Sequence, residues 1–196
     1  MHAPTLTLVA LALSVGAPTA LSAQWEVSAD IGVARFGGSS RDSAGTRVGP
    51  YRPTTLALRV GRGLGRARLA LTVLHAKTGL AAEGPSIAVV QYDIGTLWEI
   101  APEASIRIAS LGTGAEVRVD AGPAIDLWNF DGEHRTRWGG RAGLSLEWPL
   151  TRALSGHMRV GGVLTGSVFD AADVPAGVER LATRRVAVAV GLRYGL

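Results

Sequence analysis

Apolar and polar residues alternate with a period of two along most of this chain. Trp25, Val27, Ala29, Ile31 and Val33 share one face, while Glu26, Ser28, Asp30, Gly32 and Ala34 share the other, as in a β-strand with two unlike sides. A linker rich in Gly, Ser and Arg follows, Gly37 to Pro53, and is read as a loop. Leu56, Leu58 and Val60 then oppose Arg59 and Gly61, and past Gly63-Leu64-Gly65 come Leu69, Leu71 and Val73 opposite Arg68, Ala70 and Thr72. A fourth run, about Ile87 to Ala109, keeps one phase through Val90, Tyr92, Ile94, Thr96, Trp98, Ile100, Ala104, Ile106 and Ile108. Pro102 cannot donate to a ladder. It is read as a bulge inside one long strand, because Glu103–Ala109 alone is short for a spanning strand.

Past Leu111–Gly114, Val117, Val119, Ala121, Ile125 and Leu127 face away from Glu116, Arg118, Asp120, Ala124 and Asp126. The sixth run sets Trp138, Ala142, Leu144, Leu146 and Trp148 against Arg141, Ser145 and Glu147. The seventh sets Met158, Val160, Leu164 and Val168 against His157, Arg159 and Thr165. In the last, Val186, Val188, Val190, Leu192, Tyr194 and Leu196 oppose Arg185, Ala187, Ala189, Gly191 and Arg193. Eight runs, with longer polar linkers alternating with short turns, predict an all-β chain: a transmembrane antiparallel up-and-down β-barrel of about eight strands.

Soluble sandwiches and lipocalin-like barrels also alternate, so the polar face has to decide. It carries full charges at mid-strand together with glycine and alanine, and an eight-stranded barrel is just wide enough for side chains to fill. The expected lumen network is Glu26, Asp30, Glu99, Glu116, Asp120 and Glu147 with Arg59, Arg107, Arg118, Arg141, Arg159, Arg185 and Arg193. Asp93, Asp126 and Arg68 lie on the same face, and His157 is expected to hydrogen-bond among them. Unpaired charges in a dry interior are costly, so the rough balance of signs suits a closed plug. A soluble periplasmic β-protein is the alternative fold.

Aromatic positions favour the membrane. Folded about the Leu111–Gly114 turn, Trp98 is expected opposite Trp128, and about Gly132–Glu133, Trp128 opposite Trp138, with Phe36 and Phe169 at the same level. Trp25, Trp148 and Tyr194 take the opposite strand ends, giving two interfacial belts.

Ahead of the strands, Leu6 to Val15 is an apolar run too short to span as a helix, followed by Leu21-Ser22-Ala23. Residues 1–23 read as a cleavable signal peptide with Ala23 before the cut, leaving residues 24–196 as an exported barrel domain. No cysteine is present, which removes disulfides and thiolate chemistry. The net charge of +4 is carried almost wholly by arginines. They are scattered singly, without the aromatic-lined stripe of a nucleic-acid binder.

Gly191-Leu192-Arg193-Tyr194-Gly195-Leu196 resembles the carboxy-terminal signal of small bacterial outer-membrane β-barrel proteins: a glycine, an aromatic three residues on, and a terminal hydrophobic residue. The resemblance implies that Gly191, Tyr194 and Leu196 are read by the barrel assembly machinery. It implies a cell outer-membrane location among lipid and lipopolysaccharide, and it names no activity.

Candidate chemistry is sparse. Barrel deacylases pair His and Ser two residues apart, and His75-Ala76-Lys77, His134-Arg135-Thr136 and His157-Met158-Arg159 supply no serine. A looser arrangement of His134 with Asp131 or Glu133 and Ser39, Ser40 or Ser43 is the enzymatic alternative. Asp126, Asp131 and Glu133 lack the repeated spacing of a calcium loop. The expectation is therefore a monomeric, non-enzymatic structural or surface-interaction barrel with no catalytic, cofactor or metal site. A narrow channel for ions or small solutes is the alternative, with an envelope-lipid-modifying enzyme behind it. External arginines (Arg41, Arg47, Arg52, Arg135, Arg137, Arg180, Arg184) are candidates for lipopolysaccharide phosphates.

Overall fold

The computed structural model describes residues 24–37, 40–41, 45–51, 53–83, 88–112, 114–130, 132–174 and 178–196. The expected signal peptide, 1–23, lies outside them. In chain order the strands are β1 (Trp25–Phe36), β2 (Ser40–Arg41), β3 (Arg47–Tyr51), β4 (Thr54–Leu64), β5 (Ala67–Glu83) and β6 (Ala88–Leu111). β7 (Ala115–Phe130), β8 (Glu133–Pro149), β9 (Leu154–Thr165), β10 (Glu179–Arg180) and β11 (Thr183–Gly195) complete the set.

The eight long strands pair antiparallel in the order β6-β7-β8-β9-β11-β1-β4-β5, and β5 pairs back onto β6 to close the ring. First and last strands meet along nearly their whole length, from Glu26 opposite Gly195 to Phe36 opposite Arg185. Closure matters because hydrocarbon offers no partner for a free strand edge. The first and last described residues, Gln24 and Leu196, and the short turns share one end of the barrel. Gly65 and Gly114 sit in two of those turns at φ of +67° and +84°, the left-handed region that glycine enters without penalty.

The period-two pattern decides which side faces in. Ile31, Val33, Leu58 and Val188 are 54, 64, 62 and 42% exposed, whereas their neighbours Asp30 and Arg59 are 7 and 6% exposed. A soluble domain has the reverse arrangement. An apolar band this continuous around a closed sheet is a lipid-facing surface.

Three expectations about strands need correction. The Gly37–Pro53 linker is not all loop: β3 pairs with the upper end of β5, β2 with β3, and β10 with β2, forming a small sheet above the barrel. Pro102 lies within one long strand, as expected, yet the register of β6 on β7 is the same on both sides of it. The bulge falls instead between Arg107 and Ala109, at Ile108. A second irregularity, between Thr78 and Leu80 on the β5 side, reverses the phase above it, so that exposed Val89 rather than Val90 faces outward.

Several glycines make room for charge. A Cβ on Gly191 would land on the Asp30 carboxylate and the His157 ring, while one on Gly195 would meet only the Ala153 carbonyl at 3.9 Å. Gly191→Ala should therefore destabilise the barrel by roughly 1–3 kcal/mol through overpacking, and Gly195→Ala should be close to neutral. Urea unfolding midpoints of the two variants, refolded into the same vesicles, check the difference.

Candidate functional site

The lumen concentrates the chemistry of this chain, in four levels. Nearest the turns, Arg68 lies between two carboxylates, 2.6 Å from Glu26 and doubly bonded to Glu147 at 2.6 and 3.2 Å. Arg193 bridges the same pair at 2.9 and 3.2 Å. Below them a 260 Å³ vestibule opens at the turn end, lined by Arg68, Glu116, Arg118, Glu147 and Arg193 among others. Glu116 takes Arg107 at 2.6 Å and Arg118 at 3.2 Å, and Arg118 also donates to the Arg66 carbonyl.

The middle level turns on Glu103. Arg59 approaches it at 2.5 Å, Arg159 at 3.2 Å to both oxygens, and Arg141 at 3.5 Å. Asp120 shares Arg159 at 3.4 Å, and Asp30 shares Arg59 at 3.6 Å while contacting the His157 ring. Above, Glu99 is wholly buried between Arg141, at 2.7 Å, and Arg185. Asp126 is its direct register partner across β7 and accepts a hydrogen bond from the Thr165 hydroxyl. A 40 Å³ cavity remains beside these two levels.

At the loop end the lumen becomes apolar. Leu74, Ala76, Leu97, Trp128, Phe130 and Val168 form a buried cluster with Phe36 against it. Phe130 stacks on Trp128 at 5.4 Å, and Phe36 meets the same ring edge-on at 5.6 Å. Val168 comes from the segment after β9, which is strapped down by two arginines of β8. Arg135 donates to the Val168 carbonyl at 3.2 Å, and Arg137 to the Ser167 and Val168 carbonyls and to Asp170 at 2.6 Å.

The charged residues expected in the lumen have their side chains there, each in an ion pair except Asp126, which accepts from the Thr165 hydroxyl, and Asp93, whose side chain lies outside the described residues. Glu103, the busiest carboxylate, was missed. Pro102 beside it masks the alternation locally, although the phase of Glu99 and Arg107 points to it. The apolar plug was missed too, although Leu74, Leu97 and Phe130 all fall on inward positions.

The aromatic expectation divides. Trp98 and Trp138 point outward near the loop end, and Trp25, Trp148 and Tyr194 outward near the turn end. Trp128 does not belong with them: it is 1% exposed and points into the lumen. The extra residue at Ile108 shifts the register by one, so Trp98 stands opposite Leu127 and Trp128 opposite Leu97. Trp128 thus keeps step with inward Asp126. Across the next hairpin it faces Arg135, while Trp138 faces Ile125. Phe36 and Val168, expected on the outer face, also turn inward.

Of the looser catalytic arrangement, Asp131, Ser39 and Ser43 lie outside the described residues. Glu133 is taken by Arg135, His134 is exposed, and Ser40 is buried in β2. Gly191, expected as an assembly mark, stands where a Cβ would collide with Asp30 and His157.

Removing one partner of a buried ionic cluster strands the others. Glu103→Gln should cost about 3–5 kcal/mol of unfolding free energy, whereas Glu116→Gln, at the half-exposed vestibule, should cost under about 1 kcal/mol. Urea titrations of both variants in vesicles separate the two.

No protein-family pattern matches the chain, and no curated sequence does. Solved structures do match. The Neisserial surface protein A (NspA) aligns over 87% of this chain and 96% of its own, at 14% identity and a TM-score of 0.61. The outer membrane protein OprG from Pseudomonas aeruginosa aligns over 89 and 96%, at 11% identity and a TM-score of 0.59. Likeness at such low identity speaks for architecture alone, and with the closed ring and inverted faces it gives one result: this chain has the fold of the small eight-stranded outer-membrane β-barrel proteins.

Proposed function

We propose that the chain is an integral outer-membrane barrel with a sealed lumen, exported on its first 23 residues, whose work is structural or a matter of surface contacts. The observation that carries this reading is the filled interior. The cavity beside the middle and upper charged levels is 40 Å³, enough for a water or so and far from a continuous file. The loop end is closed by Trp128, Phe130 and Val168. What is left to act is the outer rim and the small sheet of β2, β3 and β10 above it, where exposed polar side chains can vary without disturbing the wall.

On this reading the chain is not an enzyme. His157 and Asp30 form a histidine–carboxylate pair, but both are buried among arginines, where no substrate reaches them. Its partners are outer-membrane lipid and lipopolysaccharide, and the assembly machinery acting on Gly191, Tyr194 and Leu196; it works as a monomer.

The 260 Å³ vestibule at the turn end favours a second reading, a narrow channel whose arginine–carboxylate levels part to admit ions. Planar-bilayer recordings separate the two. A sealed barrel gives no reproducible conductance steps, whereas regular openings would sink the first reading and support the second. Location is tested apart from this: the chain should stay with membranes through a carbonate wash and run faster on gels unheated than boiled.

A further inference from the structure

Above Val33 the barrel wall has a notch. β4 begins at Thr54, opposite Val33, so the last residues of β1 lose their neighbour on that side. Ala34 N–H donates to the Pro53 carbonyl at 3.0 Å, and the chain beyond it, β3, pairs with β5 instead of β1. A cleft of 290 Å³ lies between β3 and the tops of β1 and β11.

Three arginines line it: Arg35 on β1, Arg47 on β3 and Arg184 on β11. All three are exposed, and none has an ion-pair partner among the described residues. No acid lines the cleft among those residues. Arg35 stands opposite Val186 in the register, and Gly37 N–H donates to the Arg184 carbonyl at 2.7 Å, which sets Arg35 and Arg184 diagonally on the outer face. The rest of the lining is apolar or aromatic, with Phe36, Pro50, Tyr51 and Val186. Directly below run outward Val33, Val186 and Val188, 64, 57 and 42% exposed, the top of the lipid-facing band on these strands.

We infer that this notch binds the phosphate of a phosphorylated lipid of the outer leaflet, with the lipid's chains lying down the Val33–Val188 face. Unpaired guanidiniums match phosphate in charge and in fork geometry. Their place at the upper border of the apolar band is where a lipid headgroup sits when its chains follow the wall. A free anion would satisfy the arginines but gain nothing from the apolar half of the lining or the band below it. The inference rests on the outward face meeting lipid. Carbonate extraction reads that separately: a chain that washes off the membrane fails that premise, and one that stays yet holds no lipid fails this inference.

The test is native mass spectrometry of the purified barrel from mixed micelles containing bis-phosphorylated lipid A or the same lipid dephosphorylated. The wild-type barrel should retain one phosphorylated lipid, and Arg35→Gln/Arg184→Gln should retain about tenfold less or lower, the loss expected for two charge-assisted bonds. Arg62→Gln/Arg152→Gln, which removes the same charge at the turn end, should match wild type. If the first double variant does not fold, Arg47→Gln, on β3 outside the ring, should show the loss. Four results would overturn the inference: no lipid on the wild-type barrel, equal retention in the cleft variants and the control, equal retention of the dephosphorylated lipid, or displacement by excess inorganic phosphate.

Discussion

Every backbone N–H and C=O that enters hydrocarbon must find its partner inside the protein, and nearly everything else in this chain follows from that requirement. Eight strands can meet it only by closing, β1 onto β11 and β5 onto β6. Closure divides each strand into one face toward lipid and one toward a lumen, and period two assigns alternate residues to each. Because lipid takes the Leu, Val and Ile face, the charged face has no water to turn to and must be neutralised from within.

That neutralisation is cooperative. Glu103 touches three arginines, and each of these also reaches another carboxylate: Arg59 reaches Asp30, Arg141 reaches Glu99, and Arg159 reaches Asp120. Buried ion pairs bring little net stability relative to a well-packed apolar interior, so the network is better understood as fixing register. A one-residue slip of any strand would send its carboxylates and arginines to the lipid face and its Leu and Val to the lumen. Glycine at Gly61, Gly143 and Gly191 leaves the space that these long side chains occupy, beside Glu26, Asp120 and Asp30.

Alternation carried the architecture because it reports, residue by residue, which side of a wall a side chain faces. The inward charges, the eight long strands and the single strand running through Pro102 are all readable on that basis. What alternation cannot report is where a ladder gains a residue. Ile108 looks like one more outward isoleucine, yet its bulge moves β6 by one on β7 and separates Trp98 from Trp128. The chemistry of Trp128 suggests an interfacial anchor, whereas its phase beside Asp126 places it inside. β2 and β3 are illegible for another reason: at two and five residues they are too short to show a period, and they pair with each other and, through β3, with the extended end of β5. The cleft beside them arises from where β4 stops, which no local pattern announces.

The two ends of the lumen solve the same problem differently, and the difference bears on function. Toward the turns the charges run out into an open vestibule, where Arg107 and Glu116 keep 34 and 27% of their side-chain surface exposed. Water can share their solvation, so no cap is needed there. Toward the loops Glu99 is 0% exposed and is paired with Arg141 and Arg185. Water entering from that mouth would weaken those pairs, since the attraction falls as the local dielectric rises. Trp128, Phe130 and Val168 keep it out, and the straps from Arg135 and Arg137 hold Val168 down. On the proposed sealed-barrel reading, the aromatic plug pinned at the loop-end mouth is what keeps the buried Glu99 pairs dry on that side.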